Sequence, residues 1–259
     1  MNKTINLNAD LGESFGAWTM GEDEALLQVV RSANIACGFH AGDPMVMRHT
    51  VRTALAAGVS LGAHPAYPDL QGFGRRPMKM APAELEAMVI YQVGALAGMA
   101  AAEGGRVTHV KPHGALNNQA CEDAALADAV ARAVKAIDPA LILLAPVLSE
   151  LYLAAERAGL KVAGEVFADR AYTDKGTLVP RGQPGAVIHD HDELVTHVLR
   201  MLDAGGVVSQ SGKHLPAAMD SICVHGDTLG AVESARHLRS ELETRGWTVV
   251  ALPEVVAGP

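Results

Sequence analysis

Histidine, lysine and carboxylates recur in this chain at one kind of place. They sit beside a Gly or Pro, just after a run of apolar residues. These ends read NADLGE (Asn8–Glu13), ACGFHAGD (Ala36–Asp43), GAHPAYPD (Gly62–Asp69), VKPHGALNN (Val110–Asn118), EVFADRAY (Glu165–Tyr172) and CVHGDT (Cys223–Thr228). Asp10 and Glu13 flank a glycine. They can share general acid and base roles, ligate a metal, or serve only as turn and cap residues. His40 and His64 would join Asp10 as a metal set if their strands are neighbours. No H-x-x-x-H or H-E-x-x-H spacing supports this, so the metal stays open.

Lys111 lies one residue past a strand. In a pocket it loses hydration and needs an anion: a substrate carboxylate, a phosphate, or Glu165. His113 titrates near neutrality and is a candidate general base. His225 and Asp227, two apart on a turn, can orient one another or a water. Arg75, Arg76 and Arg170 carry planar forks that suit carboxylate or phosphate, and only one of the Arg75-Arg76 pair is expected in the site. Asn117 or Asn118 is either a donor to a carbonyl or a helix cap. There is no G-x-S-x-G for a serine nucleophile, no Walker A and no GxGxxG at a strand end.

Something must bring these ends together. Alternation and branched side chains predict strands at Thr4–Asn8, Asn34–Cys37, Val59–Ala63, Arg106–Val110, Ala140–Ala145, Lys161–Phe167 and Ser221–Val224. Helical spacing fills the gaps, over Glu22–Ala33, Asp43–Ala57, Pro82–Glu103, Glu122–Ile137, Leu148–Ala158, Asp190–Leu202 and Gly230–Arg245. Val207–Ser211 is a short extended piece, and Thr248–Leu252 a short closing strand. Pro65–Pro77 and Ala168–Ala186 are long loops, a length that more often serves function than not. Alternating β and α implies a parallel sheet with helices outside it. Polar clusters at nearly every strand end favour a closed barrel, which gathers all strand C-termini round one mouth. An open sheet would gather its site at one switch point. The fifth strand is the exception, ending in Ala145-Pro146 without charge.

Composition narrows the classes. The 259 residues suit one α/β domain spanning 1–259, with no linker or composition shift. The net charge of −8, with no basic patch among aromatics, argues against a nucleic-acid partner. No apolar run is read as a membrane span, and the N-terminus has no secretory h-region. Cys37, Cys121 and Cys223 lack C-x-x-C pairing and read as reduced, buried and inert thiols, which implies a cytoplasmic protein.

NADLGE, ACGFHAGDP, AHPAYPD, GRR, KPHGALN, EVFADRAY, LVPR and VHGDT occur in this order. In these motifs the chain resembles the LamB/YcsF family from Asn6 to about Pro253. The resemblance implies a seven-stranded, distorted TIM-like β/α barrel of the glycoside hydrolase/deacetylase kind. It implies work with two further 5-oxoprolinase subunits, B and C. The complex opens 5-oxo-L-proline (pyroglutamate) to L-glutamate with ATP and water. ATP, with Mg2+ accompanying it, is therefore the expected cofactor. The expected catalytic residues are Asp10, Glu13, His40, His64, Lys111, His113, Glu165 and His225. The expected substrate contacts are Asn8, Arg75, Asn117, Asp169, Arg170 and Asp227. Two rivals remain on the same barrel. One is a metal-dependent amidase or deacetylase acting alone; the other is a non-catalytic subunit that binds the lactam.

Overall fold

The plan is set by the first strand. In β1 (Lys3–Leu11), Ile5, Leu7, Ala9 and Leu11 alternate with Asn6, Asn8 and Asp10. Successive side chains of a strand point to opposite faces, so β1 carries one apolar and one polar face. The apolar face packs outward into the layer of helices, where all four residues are fully buried. The polar face turns inward.

The computed structural model describes residues 3–224 and 230–257. After β1 come α1 (Asp23–Leu27), β2 (Ser32–Ala36), α2 (Pro44–Ala56), β3 (Ser60–His64), α3 (Pro82–Ala102) and β4 (Val107–Val110). Then follow α4 (Gly114–Glu122), α5 (Ala124–Ile137), β5 (Ile142–Pro146), α6 (Glu150–Ala158), β6 (Lys161–Phe167) and α7 (His191–Ala204). A hairpin of β7 (Gly206–Val208) and β8 (His214–Pro216) precedes β9 (Ser221–Val224), α8 (Ala231–Thr244), β10 (Trp247–Val249) and α9 (Leu252–Ala257). Strands β1 to β6 pair in sequence order, β6 pairs with β9, and β9 returns to β1, every pairing parallel. The result is the closed seven-stranded barrel expected from the sequence. β10 pairs with the start of β1, outside the ring.

The barrel interior is polar where a TIM barrel usually stacks branched apolar side chains. Ser60 Oγ lies 2.7 Å from Ser32 Oγ, and Asn6 Nδ2 donates to Ser32 Oγ at 2.9 Å. Ser221 Oγ donates to Asn6 Oδ1 at 2.6 Å, and Asn8 Nδ2 to Ser221 Oγ at 2.8 Å. Asn34 Nδ2 donates to Asn8 Oδ1 at 2.7 Å and to Asp10 Oδ1 at 2.9 Å. His109 Nε2 meets Asn34 Oδ1 at 3.1 Å. Burial pushes the His109 imidazole down to about 3, and the nearby Lys111 charge adds to this. Its ring fits because Gly62 lies opposite; a Cβ there would stand 2.1 Å from His109 Nε2. An apolar part of the interior lies on β5 and β6 toward the strand N-termini. There Leu252 packs with Ile142, Leu144 and Ala163 and closes the barrel floor.

Local differences from the expected elements have tertiary causes. The helix expected over Glu22–Ala33 stops at Leu27, because Ser32 and Ala33 pair with both β1 and β3. α4, with the sequence GALNNQACE, is an element that spacing does not predict. The closing strand lies at Trp247–Val249, slightly earlier than expected, and α9 takes up Leu252. The cap expected at Asp43 is present: its carboxylate accepts from the Met45 and Val46 amides. Among the described residues one helix, α3, is long and apolar enough to cross a membrane, against the expectation of no such run. Its Leu85, Val89, Val93 and Leu96 are buried in the main core.

Candidate active site at the barrel mouth

The site is built at the C-terminal ends of the strands, where a barrel exposes its loops. Lys111, directly after β4, reaches into the centre. Its Nζ lies 2.9 Å from Asp10 Oδ1 on β1 and 2.9 Å from Glu165 Oε1 on β6. It also donates to Asn8 Oδ1 at 3.3 Å and approaches Cys223 Sγ at 3.1 Å. Burial alone would push this ammonium down. Asp10 and Glu165 outweigh burial and hold it well above the usual lysine range. Lys111 therefore stays charged, and it fixes the Asp10 carboxylate in place.

A second cluster adjoins the first. His64, the last residue of β3, gives its Nδ1–H to the Lys111 carbonyl at 2.7 Å. His113, which precedes α4, gives its Nε2–H to the Phe73 carbonyl at 2.9 Å. The other ring nitrogens, His64 Nε2 and His113 Nδ1, face each other at 3.0 Å. Glu13 Oε1 is 3.4 Å from His113 Nδ1, 3.1 Å from His40 Nε2 and 4.0 Å from His64 Nε2. Asp10 Oδ2 stands 3.3 Å from His64 Nε2 and so links the two clusters. The His40 ring stacks on His113, 3.9 Å between centroids and 10° between planes. Burial pushes Glu13 up and drives His40 and His113 well below the ordinary imidazole range.

The two clusters floor a cavity of about 480 Å³. Arg75, Arg170 and Arg181 line it from the long loops, with Asn117, Asn118, Cys121 and Phe167. Arg75 and Arg76 divide as expected. Arg75 lies over the Phe73 ring at 5.0 Å and lines the cavity, whereas Arg76 binds the buried Asp69 carboxylate. Loop 65–77 is locked onto the start of α4: His113 N donates to Pro65 O at 2.8 Å, and Ala115 N to Gly74 O at 2.9 Å. Gly114 has φ +55°, and a Cβ on it would stand 2.6 Å from the Gly74 oxygen, so the contact needs glycine.

Of the expected site residues, the fold brings Asn8, Asp10, Glu13, His40, His64, Lys111, His113 and Glu165 into one connected group. Arg75, Asn117 and Arg170 line the cavity above them. Arg170 is also a loop tie, donating to Val179 O at 2.7 Å and to Ala186 O at 3.3 Å. Asp169 is half-buried and does not line the cavity. His225 and Asp227 lie outside the described residues. Asn117 and Asn118 are not caps; they lie within α4, and Asp123 caps α5 through the Ala125 and Leu126 amides. The thiols are less uniform than expected. None of the three cysteines is in a disulfide, and burial lifts Cys37 and Cys121 to about 12, which makes them inert. Cys223, however, touches Lys111. Sequence reasoning missed Asn34 and His109, although Asn34 and Ser32 alternate as Asn6, Asn8 and Asp10 do. That period of two was the available signal.

Residues 5–257 match the model of the LamB/YcsF family. Over 251 residues the chain is 77% identical to a protein of Azoarcus sp. (strain BH72) named as the A subunit of 5-oxoprolinase, covering 97% of this chain and 98% of that one. It is 56% identical over 258 residues to the protein of the same name from Methylococcus capsulatus, covering 100% of this chain and 99% of the other. Among solved structures, the lactam utilization protein from Thermus thermophilus superposes with a TM-score of 0.90. It is 46% identical, with 96% of this chain and 99% of that chain covered. The T48 deacetylase, 14% identical with a TM-score of 0.51 over 99% of this chain and 92% of that chain, shares the fold alone.

Proposed function

The chain belongs to the LamB/YcsF family, and from that membership and the mouth geometry we propose that it opens the lactam ring of 5-oxo-L-proline to L-glutamate as the A subunit of a 5-oxoprolinase. It does so with ATP and with subunits B and C. The observation that carries the reading is the cavity. It sets a carboxylate held by an ammonium, Asp10 on Lys111, beneath cationic Arg75 and Arg181. An anionic lactam needs that combination: cations for its carboxylate and for phosphate, and a base for water.

A lactam is a stable amide, so its carbonyl carbon must be activated. The carbonyl oxygen takes the γ-phosphoryl group of ATP, and ADP leaves. Water then adds at the same carbon, giving up a proton. The ring C–N bond breaks as nitrogen takes a proton, and a second water releases phosphate from the resulting acyl phosphate. Asp10 is placed to take the proton from the first water, with Lys111 orienting it. Arg75 and Arg181 suit the charges of the carboxylate and the phosphate. Arg170 contributes by tying down loop 168–186. The sequence has no Walker A, so ATP binds either at an unorthodox site on this mouth or at the junction with subunits B and C, with Mg2+ accompanying its phosphates. Exposed Met20 and Leu148 on the cavity rim support a partner seated over the mouth.

Glutamate release from 5-oxoproline is the test, measured for the purified chain with and without subunits B and C and with and without ATP. Release only when all are present is expected. Release by the chain alone without ATP, abolished by a chelator, would instead establish the metal-dependent amidase. The cluster of Glu13, His40, His64 and His113 favours that second reading. Binding of 5-oxoproline by the chain alone in calorimetry, with mouth substitutions losing binding and turnover of the complex together, would leave the chain a carrier.

A further inference from the structure

Two imidazoles in the mouth are arranged as bases facing each other. A carbonyl oxygen can only accept a hydrogen bond, so the nitrogen pointing at it must carry the proton. The Lys111 carbonyl fixes the proton of His64 on Nδ1, at 2.7 Å. The Phe73 carbonyl fixes that of His113 on Nε2, at 2.9 Å. The remaining nitrogens, His64 Nε2 and His113 Nδ1, then present lone pairs to one another at 3.0 Å. Two lone pairs at that distance repel unless a cation lies between them. Glu13 Oε1 completes a triangle, 3.4 Å from His113 Nδ1 and 4.0 Å from His64 Nε2.

We propose that Glu13, His64 and His113 hold a divalent ion of the zinc class, bound through His64 Nε2, His113 Nδ1 and a Glu13 carboxylate oxygen. Zinc bonds to nitrogen and oxygen of roughly 2.0–2.2 Å, in a tetrahedron, put neighbouring ligand atoms about 3.3–3.6 Å apart, which the observed separations bracket. Two imidazoles and one carboxylate select Zn2+, Co2+ or Fe2+ over Mg2+ and Ca2+, which prefer all-oxygen shells. The carbonyl contacts behind each ring are the outer hydrogen bonds that orient metal-binding histidines. His40 has a different task. Its ring lies parallel to His113 at 3.9 Å, so its Nε2 lone pair would run alongside that of His113 and not converge with it. Its Nε2–H instead holds Glu13 Oε1 at 3.1 Å, making His40 a positioning residue. Asp10 Oδ2, 3.3 Å from His64 Nε2, flanks the remaining open side, on the face toward the Lys111 cluster.

The test uses the full chain without substrate, ATP or partners, so its outcome is independent of glutamate release. Protein stripped with a chelator and dialysed is titrated with Zn2+, Co2+ and Mg2+ by calorimetry, and the bound ion is counted by mass spectrometry. Near-stoichiometric Zn2+ and Co2+ binding with a rise in melting temperature is expected, with no comparable Mg2+ response. His113→Ala and Glu13→Gln should each weaken Co2+ binding more than 100-fold and change its visible spectrum. His40→Gln should keep the spectrum and weaken binding about 10–100-fold, as outer-partner losses do. Circular dichroism of each metal-free variant separates loss of ligand from loss of fold. If His113→Ala does not fold, Glu13→Gln and the Co2+ spectrum of the unmodified chain decide. Absence of Zn2+ and Co2+ binding by the folded chain would overturn the proposal. So would binding unaltered in Glu13→Gln, or a preference for Mg2+.

Discussion

Asp10 and Lys111 illustrate how much chemistry single residues carry here. Asp10 Oδ1 touches Lys111 while its Oδ2 faces His64. If it is the base for water, Asp10→Asn keeps the shape and removes the proton acceptor. Glutamate release by the complex should fall about 10²–10⁴-fold at a temperature where circular dichroism shows the variant folded, even though losing the Asp10–Lys111 pair lowers its melting temperature. Retained turnover would remove Asp10 from the mechanism. Lys111 answers a different question. Lys111→Met leaves the fully buried Glu165 without its cation, and breaking a buried pair on one side costs roughly 3–5 kcal/mol. Adding Glu165→Gln should recover much of that loss in denaturant unfolding, because the stranded charge is gone. A double variant no more stable than the single would mean that Glu165 is not charged in the folded chain. Asp10, Lys111 and the histidines were readable as polar strand ends, because residue type and a neighbouring Gly or Pro suffice to mark them. Which nitrogen of each histidine is bare was not readable. That depends on carbonyls of Lys111 and Phe73 that lie far away in sequence.

At the scale of elements, loop 65–77 decides whether the mouth is formed. The chain reverses there around Asp69, whose carboxylate accepts from the Gly72 amide and from Arg76. The Arg76 hydrogen bond holds Asp69 down at about 2, against an ordinary 3.8. A depressed carboxylate stabilises the fold fully above its unfolded value and loses that contribution as it protonates. Asp69→Asn should therefore melt below the parent chain at neutral pH. The gap should close as pH falls from about 3.8 toward about 2. A gap independent of pH would show that shape, not charge, is what Asp69 contributes. The element missed in the sequence lies against this loop. α4 has a glycine and two asparagines in its first turns, poor helix formers, and forms because loop 65–77 packs on its start. Conversely, the over-long first helix shows local spacing losing to strand pairing at Ser32 and Ala33.

For the whole molecule, the barrel separates function from stability along its axis. The strand C-termini carry the cavity, while the opposite end is sealed by Leu252 of α9 against Ile142, Leu144 and Ala163. Between them runs the ladder of Ser, Asn and His side chains. The alternation of strands and helices made the closed barrel legible, because it follows from backbone rules. The plug was not legible, because nothing local tells a terminal Leu that it will cross under the barrel and meet β5 and β6. Truncating this side chain should act on stability alone. Leu252 is fully buried, and a buried Leu→Ala change costs about 2–5 kcal/mol. At roughly 2–4 °C per kcal/mol for a chain near this size, Leu252→Ala should melt about 4–20 °C lower. Below that transition, kcat for glutamate release and Co2+ affinity should match the parent, since no mouth residue touches the plug. If either drops in the folded variant at low temperature, the polar ladder transmits strain from floor to mouth. In that case Ser32, which accepts from the Leu252 amide at 3.1 Å and from Asn6 at 2.9 Å, is the first residue to substitute next.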